Sequence, residues 1–373
     1  MNTHVLRTLP AILAISLSAP AAAAGLQLWQ QNAAGLGVAY AGSAAVADNA
    51  SALYYNPAAM TRLPGIQVSF GGVMAWPDYD FTGANNTGSD DPGVWLGAGN
   101  AYASWQITPD LALGFGASAP FLLATEYRSN WAGAQQAIWS QAKSTNLNPA
   151  LAYRLGDKVS LGLGVNYQTL DVEMTRLGAP SYKGDSGAWG WNAGALFELS
   201  PAMRVGVSYR SSLTHDLDNN GPSVRLPDTG IVSVWQQLSD RWEAMGDLSY
   251  TRWGRTQSLG APGESVDFDN AWRLAWGAAY KASDAWKIKF GLAYDRSPTR
   301  HVQQRVARMP DADSYWLSVG AQWNAGRWGR IDAGYSYIIM RDAPIDSTGN
   351  GIRLQGNYDN SAHLLGAQYS IGF

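Results

Sequence analysis

Period-two alternation, repeated in runs of about ten residues and broken by turn residues, is the feature that most restricts what this chain can fold into. In the run from Val159 to Thr169, Val159, Leu161, Leu163, Val165 and Tyr167 share one face, while Ser160, Gly162, Gly164, Asn166 and Gln168 share the other. Trp272, Leu274, Trp276, Ala278 and Tyr280 likewise oppose Arg273, Ala275, Gly277 and Ala279, and the last run sets Leu365, Ala367, Tyr369, Ile371 and Phe373 against Gly366, Gln368, Ser370 and Gly372. A soluble sandwich also alternates, but its strands are shorter and its outward face is charged rather than glycine-rich. A strand with lipid on one side and a lumen on the other produces the pattern seen here.

Composition agrees. The chain has 41 Gly, 17 Trp and 18 Tyr beside a mean hydropathy of only -0.19, and after its leader no apolar stretch has the length of a membrane helix. Arg7, the apolar run Leu9 to Leu17 and the small residues Ala21 to Ala24 read as a signal peptide over residues 1–23. There are no cysteines, which excludes disulfide frameworks and thiolate metal sites. A formal charge of -3 with scattered Lys and Arg excludes a nucleic-acid partner.

Alternating runs lie near 66–76, 94–107, 110–127, 144–155, 158–174, 188–199, 202–214, 223–238, 241–253, 268–281, 285–296, 313–323, 328–340 and 362–373. That is an even number, as bacterial single-chain barrels require. Gly25 to Leu63 differs: it is Ala- and Gly-rich, lacks alternation, and lacks the charge of a disordered tail. It reads as a plug for the lumen or as a flexible periplasmic N-terminus.

Four places carry candidate function. In Asn56-Pro57-Ala58 the pre-proline restriction makes Asn56 extended and leaves its amide free to bond nearby backbone. Pro120, within the third run, has no amide hydrogen to give a ladder, so pairing should fail around Ser118, Ala119, Pro120 and Phe121, unless Pro120 marks the strand's end. After Gln168 the apolar parity inverts, which places Leu170, Val172 and Met174 on the lumen face in front of Arg176, or else signals a β-bulge near Thr169. Between Glu126 and Leu147, Trp131, Ile138 and Trp139 either capture a hydrophobic ligand or pack the loop against its neighbours.

Two local matches are discounted. Gly184-Asp-Ser-Gly187 resembles a serine-protease nucleophile without the fold context for its histidine, and Asp216 to Asn220 starts like a calcium loop but has Pro227 where the bidentate Glu should stand. Both read as polar turns, with Asn220-Gly221 as a hairpin signal. No catalytic residue, metal site or cofactor is expected.

Gly35 to Met60 with its Asn56-Pro57-Ala58, Leu123-Ala-Thr-Glu-Tyr127, Asn148-Pro-Ala-Leu-Ala-Tyr-Arg154, Ala271-Trp-Arg-Leu274, Leu292-Ala-Tyr-Asp-Arg-Ser-Pro298 and Tyr315-Trp-Leu-Ser-Val-Gly320 occur in the order in which the FadL family carries its motifs. The chain therefore resembles that family of outer-membrane transporters of long-chain fatty acids and other hydrophobic compounds. The resemblance implies an all-β fold, a 14-stranded antiparallel transmembrane β-barrel over residues 66–373, with an N-terminal hatch over residues 24–65 plugging the lumen. It implies capture at the outer loops, an apolar pocket, and lateral exit at an inward kink of the third strand beside the Asn56-Pro57-Ala58 turn. Arg176 matches a family contact to the ligand carboxylate, for which a guanidinium is suited. Where the fatty-acid archetype carries lysines, however, this chain has Glu264, Asp267 and Asp269, and related members move monoaromatic hydrocarbons. The expected protein is a non-enzymatic monomer of the Gram-negative outer membrane, whose partners are outer-membrane lipids and a hydrophobic small molecule. A lipid-modifying barrel enzyme and a diffusion porin are the alternatives; the first lacks a recognisable nucleophile and base, and the plug argues against the second.

Overall fold

A computed structural model describes residues 27–84, 88–261, 265–349 and 351–373. The signal-peptide reading and Glu264 lie outside the described residues. Seventeen hydrogen-bonded segments form one sheet; two of them are halves of a broken strand and two are short pieces above the rim, which leaves fourteen wall strands. In chain order these are β1 (Ile66–Gly83), β2 (Leu96–Gln106), β3 (Leu111–Ser118, resuming at Leu122–Glu126), β4 (Trp139–Leu155), β5 (Val159–Thr175), β6 (Tyr182–Ser200), β7 (Met203–Arg210), β8 (Thr229–Gln237), β9 (Trp242–Thr251), β10 (Ala271–Lys281), β11 (Trp286–Asp295), β12 (Ser314–Asn324), β13 (Arg330–Met340) and β14 (Ile352–Gly372). Every neighbour is antiparallel, and β1 pairs with β14 as well as β2, which closes the barrel. At the seam Phe373 and Ile66 exchange both backbone bonds, at 2.8 and 3.1 Å. Among the described residues the first and last wall strands pair, so the wall is closed.

Alternation sets which residues meet lipid. Leu161, Leu163 and Val165 are exposed on the outer face of β5, as are Trp276 on β10 and Leu365 on β14. Several strands run further than their alternation: β1 continues past Trp76 to Gly83, and β14 starts ten residues before position 362, at Ile352. Those upper ends carry Asp78, Asp80 and Asp359, because above the membrane both faces meet water and the apolar face is no longer required.

One wall prediction is corrected. The runs 202–214 and 223–238 do not stay in the barrel throughout: β7 ends at Arg210, Leu213–Asp216 pairs with Ser223–Leu226 in a separate two-stranded sheet, and β8 begins at Thr229. Leu213, Leu217, Val224 and Leu226 alternate because they are buried against other protein, not against lipid. The turn of this hairpin places Asn219 and Asn220 at φ 52° and 60°, so its left-handed pair is Asn219-Asn220 rather than Asn220-Gly221.

Gln27 to Leu63 lies inside the strands and is almost wholly buried. The glycine-rich lumen face accounts for its fit: a Cβ at Gly162 would collide with the backbone of Ala58, at Gly206 with that of Ala44, and at Gly291 with that of Val38. Charges on the wall hold its main chain. Lys289 Nζ donates to the Ala34 carbonyl at 2.9 Å, Arg273 to the Ala39 carbonyl at 2.8 Å, and the Asp247 carboxylate accepts from Ser43 N and Oγ at 3.0 and 2.6 Å. Lys289 also pairs with buried Asp332 at 2.7 Å, so its desolvation is compensated on two sides.

Circular dichroism of the purified protein should be strand-dominated, and its gel mobility should change on boiling, since a closed barrel has no free edge from which to unfold. A helical spectrum, or identical mobility before and after heating, would contradict the fold.

Candidate functional site

The ladder of β3 fails around its proline. Ser118 pairs with Asn146 of β4, and pairing resumes at Leu122 with Lys143, so three residues stand opposite two and the register moves by one. On the other side, β2 and β3 separate beyond Ala101 and Ala117. Pairing resumes above Pro120, so the break is internal and Pro120 is not the strand's end. Its freed groups are met from inside: Leu28 N donates to the Pro120 carbonyl at 2.8 Å, Gln31 Nε2 to the Ala119 carbonyl at 3.0 Å, and Gln27 bridges to Phe121. Phe121 N also donates to Ser144 Oγ at 2.9 Å. Leu28 packs on Ala98, Leu122 and Ala119, across the gap between β2 and β3.

The Asn56-Pro57-Ala58 turn lies elsewhere. Asn56 is extended at φ -152°, and its Nδ2 donates to the carbonyls of Ala44 at 2.7 Å and Ala195 of β6 at 3.0 Å, while Oδ1 accepts from Ala58 N at 3.0 Å. Pro57 and Ala58 press on Gly162 of β5, and Asn56 on Gly194 of β6. The expectation of a turn beside the kink is therefore corrected: Gln27 to Gln31 occupy that position, and the turn sits on β5 and β6, where Gly162 and Gly194 leave room for it. The paired half of β3 meets the same segment lower down, where Leu53 and Met60 face Gly114.

Above the break one side of the lumen is an apolar cluster. Residues 159–174 of β5 pair with β6 in one continuous register, so there is no bulge at Thr169, and Leu170, Val172 and Met174 face inward and are buried. They form one cluster with Phe121, Leu123, Leu226, Trp253 and Phe268. Arg176 follows the end of β5 and, with Gln136 and Arg308, lines two cavities of about 350 and 230 Å³. Arg308 is buried and donates to the Gln136 carbonyl at 3.0 Å. Asp267 lines the larger cavity, so a carboxylate of the protein shares it with the guanidinium groups. Sequence reasoning missed Arg308 and Gln136, which lie in irregular loops with no periodicity to mark them.

Trp131, Ile138 and Trp139 do not form an exposed capture surface. The Trp131 ring stacks on Tyr127 at 3.8 Å and 8°, meets the Phe81 edge-on, and donates through Nε1 to the Ala137 carbonyl at 2.7 Å. Ile138 and Trp139 are half-buried against neighbouring clusters. Tyr127 donates to the Ala307 carbonyl at 2.5 Å, and burial together with the neighbouring Tyr358 raises its pKa, so the phenol stays neutral in this loop core. Packing between loops uses these aromatic rings fully.

A closed antiparallel wall of fourteen strands with lipid-facing aromatic and aliphatic residues defines a Gram-negative outer-membrane β-barrel. The chain belongs to the family described as outer membrane protein transport protein (OMPP1/FadL/TodX), whose model matches residues 14–373. It is 27% identical to the long-chain fatty acid transport protein of Escherichia coli K12 over 97% of each chain. It is 30% identical to outer membrane protein P1 of Haemophilus influenzae, over 94% of this chain and 95% of that one. In fold it is similar to a Pseudomonas aeruginosa FadL homologue, with a TM-score of 0.83 at 22% identity over 94% of this chain and 100% of the other. The Pseudomonas putida toluene transporter TodX superposes at a TM-score of 0.70 and 14% identity, over 92% and 98%.

Gly162→Val would drive a side chain into the backbone of Ala58, at a cost of about 1–3 kcal/mol, and should detach the segment from β5. Single-channel conductance in planar bilayers should rise above the parent's while heat-modifiable mobility persists. Gly246→Ala, where an added Cβ meets nothing within 4 Å, should leave conductance unchanged; equal conductance in all three proteins would contradict the docking.

Proposed function

We propose that this barrel takes up hydrophobic small molecules, long-chain fatty acids first among them, as a monomer surrounded by outer-membrane lipids. The observation that carries the reading is the apolar track from Met174, beside Arg176 and Arg308, down to Phe121 at the break in β3. The ligand enters beneath the loops, settles in the apolar pocket of Leu170, Val172 and Met174 with its carboxylate toward the arginines, and leaves sideways through Ser118 to Phe121. Transfer of apolar surface from water, worth about 25 cal/mol per Å², drives entry into the pocket, and the hydrocarbon core of the membrane receives the chain at the exit. Residues 27–63 act as the hatch that keeps the lumen from leaking, with Asn56, Pro57 and Ala58 as its latch on β5 and β6. The names of the Escherichia coli and Pseudomonas putida relatives support fatty acids and toluene, respectively, as cargo of those proteins. A monoaromatic hydrocarbon is the second reading here, favoured by Asp267 in the cavity, whose charge opposes a carboxylate ligand.

Arg176→Ala and Arg308→Ala should each weaken binding of a long-chain fatty acid on the order of tenfold or more, since a charge-assisted hydrogen bond contributes about 1.5–3 kcal/mol. Toluene binding should change little in either variant. Unaltered fatty-acid affinity in both, measured by calorimetry, would remove the carboxylate from the recognised group and favour the hydrocarbon reading.

Ala119→Glu places a charge in the break, where burial without a partner is costly. Cellular uptake of labelled fatty acid should fall severalfold at matched surface levels, with bilayer conductance equal to the parent's. Normal uptake would mean that the ligand does not pass this point.

A further inference from the structure

The lumen face of β5 has three zones. Ser160, Gly162 and Gly164 face the N-terminal segment and the amides below the apolar cluster, Leu170, Val172 and Met174 belong to that cluster, and Asn166 and Gln168 lie between. The middle zone extends around the wall. Asn146 and Asn148 of β4 and Asn192 of β6 join Asn166 and Gln168, all at most 2% exposed, with Arg210 at the end of β7. Asn146 Nδ2 donates to Asn166 Oδ1 at 3.2 Å, and Asn148 and Asn166 both donate to Asn192 Oδ1 at 3.0 Å. Arg210 donates to Asn166 Oδ1 and, at 2.9 Å, to the Tyr54 carbonyl, with its guanidinium 4.2 Å from the Tyr54 ring.

This amide collar is only partly self-satisfied. Asn146 Oδ1, Asn148 Oδ1 and Asn192 Nδ2 are buried without a hydrogen-bond partner, as are both side-chain polar atoms of Asn100, which faces the lumen from β2 where β2 and β3 part. Asn148 has a structural use, since its Nδ2 donates to the Val165 carbonyl at 2.9 Å where Pro149 leaves the ladder unpaired. The unmet atoms of Asn146 and Asn192 have no such use and carry their full desolvation cost. The collar also adjoins the break directly: Asn146 pairs with Ser118, and Ser144, two residues above it, bonds Phe121 through both N and Oγ. The collar therefore lies beside and below the break, whose Phe121 belongs to the apolar cluster itself, and it offers a molecule at the break groups that accept and donate hydrogen bonds, beside one fixed positive charge.

Resting on the uptake reading above, we infer that this collar of Asn146, Asn148, Asn166, Asn192 and Arg210 is a second, lower subsite that binds the carboxyl or hydroxyl head group of an amphipathic ligand while its alkyl chain threads the break in β3. The head group supplies the acceptor that Asn192 Nδ2 and Arg210 face, and a hydroxyl proton meets the carbonyl oxygens of Asn146 and Asn148. A pure hydrocarbon meets none of them. The cavity beside Asn192 and Arg210 is about 20 Å³ and is bounded by Gln27, Leu28 and Trp29, so a head group enters as that stretch shifts, the same stretch that covers the break.

Uptake of labelled palmitate, hexadecanol and hexadecane by cells expressing the full chain at matched surface levels tests the collar. Asn192→Asp replaces the donor with a negative charge of the same shape. It should cut palmitate uptake at least tenfold and leave hexadecanol within twofold of the parent. Asn148→Leu should lower both severalfold, and hexadecane uptake should stay at the parent's level in both variants. If Asn148→Leu loses heat-modifiable mobility, the isosteric Asn192→Asp carries the test alone. An equal fall for all three compounds, or none for palmitate, would overturn the subsite. A parent chain that takes up none of the three overturns the uptake reading itself, and the subsite with it.

Discussion

Inside a bilayer no water is at hand to satisfy a backbone group, so a strand that stops pairing must find partners within the protein. The wall meets that condition by closure along most of its length. At Pro149 of β4, where pairing with β5 skips two residues, Asn148 Nδ2 donates to the Val165 carbonyl at 2.9 Å, and where Pro120 interrupts β3 the groups released by the ladder are taken up by Gln27, Leu28 and Gln31. Two requirements are met by one arrangement. The wall is locally unzipped at Ser118 to Phe121, and the N-terminal segment is drawn there because it supplies what the wall lacks. The placement of that segment, the apolar pocket above it and the amide collar beside it are all organised around this gap.

The rest of the lumen keeps the segment in register. Glycines on the inner face let its main chain lie against the wall at Gly162, Gly206 and Gly291, buried Lys289 and Arg273 bond its backbone carbonyls, and Asp247 accepts from both the amide and the hydroxyl of Ser43. Contact through main-chain atoms tolerates substitution within the segment as long as residues stay small, which accounts for its Ala- and Gly-rich composition. The charges are costly to bury. Their partners on the segment offset that cost, so wall and segment depend on each other.

Much of the wall was legible because lipid imposes one rule on every strand: apolar outward. The rule lapses where lipid does, and so the upper halves of β1 and β14 were unreadable, as Asp78, Asp80 and Asp359 show. It also misled at Leu213 to Leu226, where burial against protein imitates burial against lipid. A missing amide at Pro120 is visible in the sequence, but nothing in Gln27 to Gln31 announces that it would cover the break. Adjacency in sequence says which residues travel together, not which strand they meet; hence the turn at Asn56 was expected by β3 and lies on β5 and β6. Arg308 was missed for the same reason, since its neighbours come from distant loops.

The central claim is that a hydrophobic ligand leaves through the wall at the break in β3. A fatty acid carrying a photoreactive diazirine at its chain end, irradiated during uptake and traced by mass spectrometry of the cross-linked peptides, tests this directly. The account predicts adducts on Leu170 to Met174, on Phe121 to Leu123, and on the lipid-facing Phe115 below them. Adducts on Val46, Lys287 or other residues at the periplasmic mouth, with none near Phe121, would contradict it.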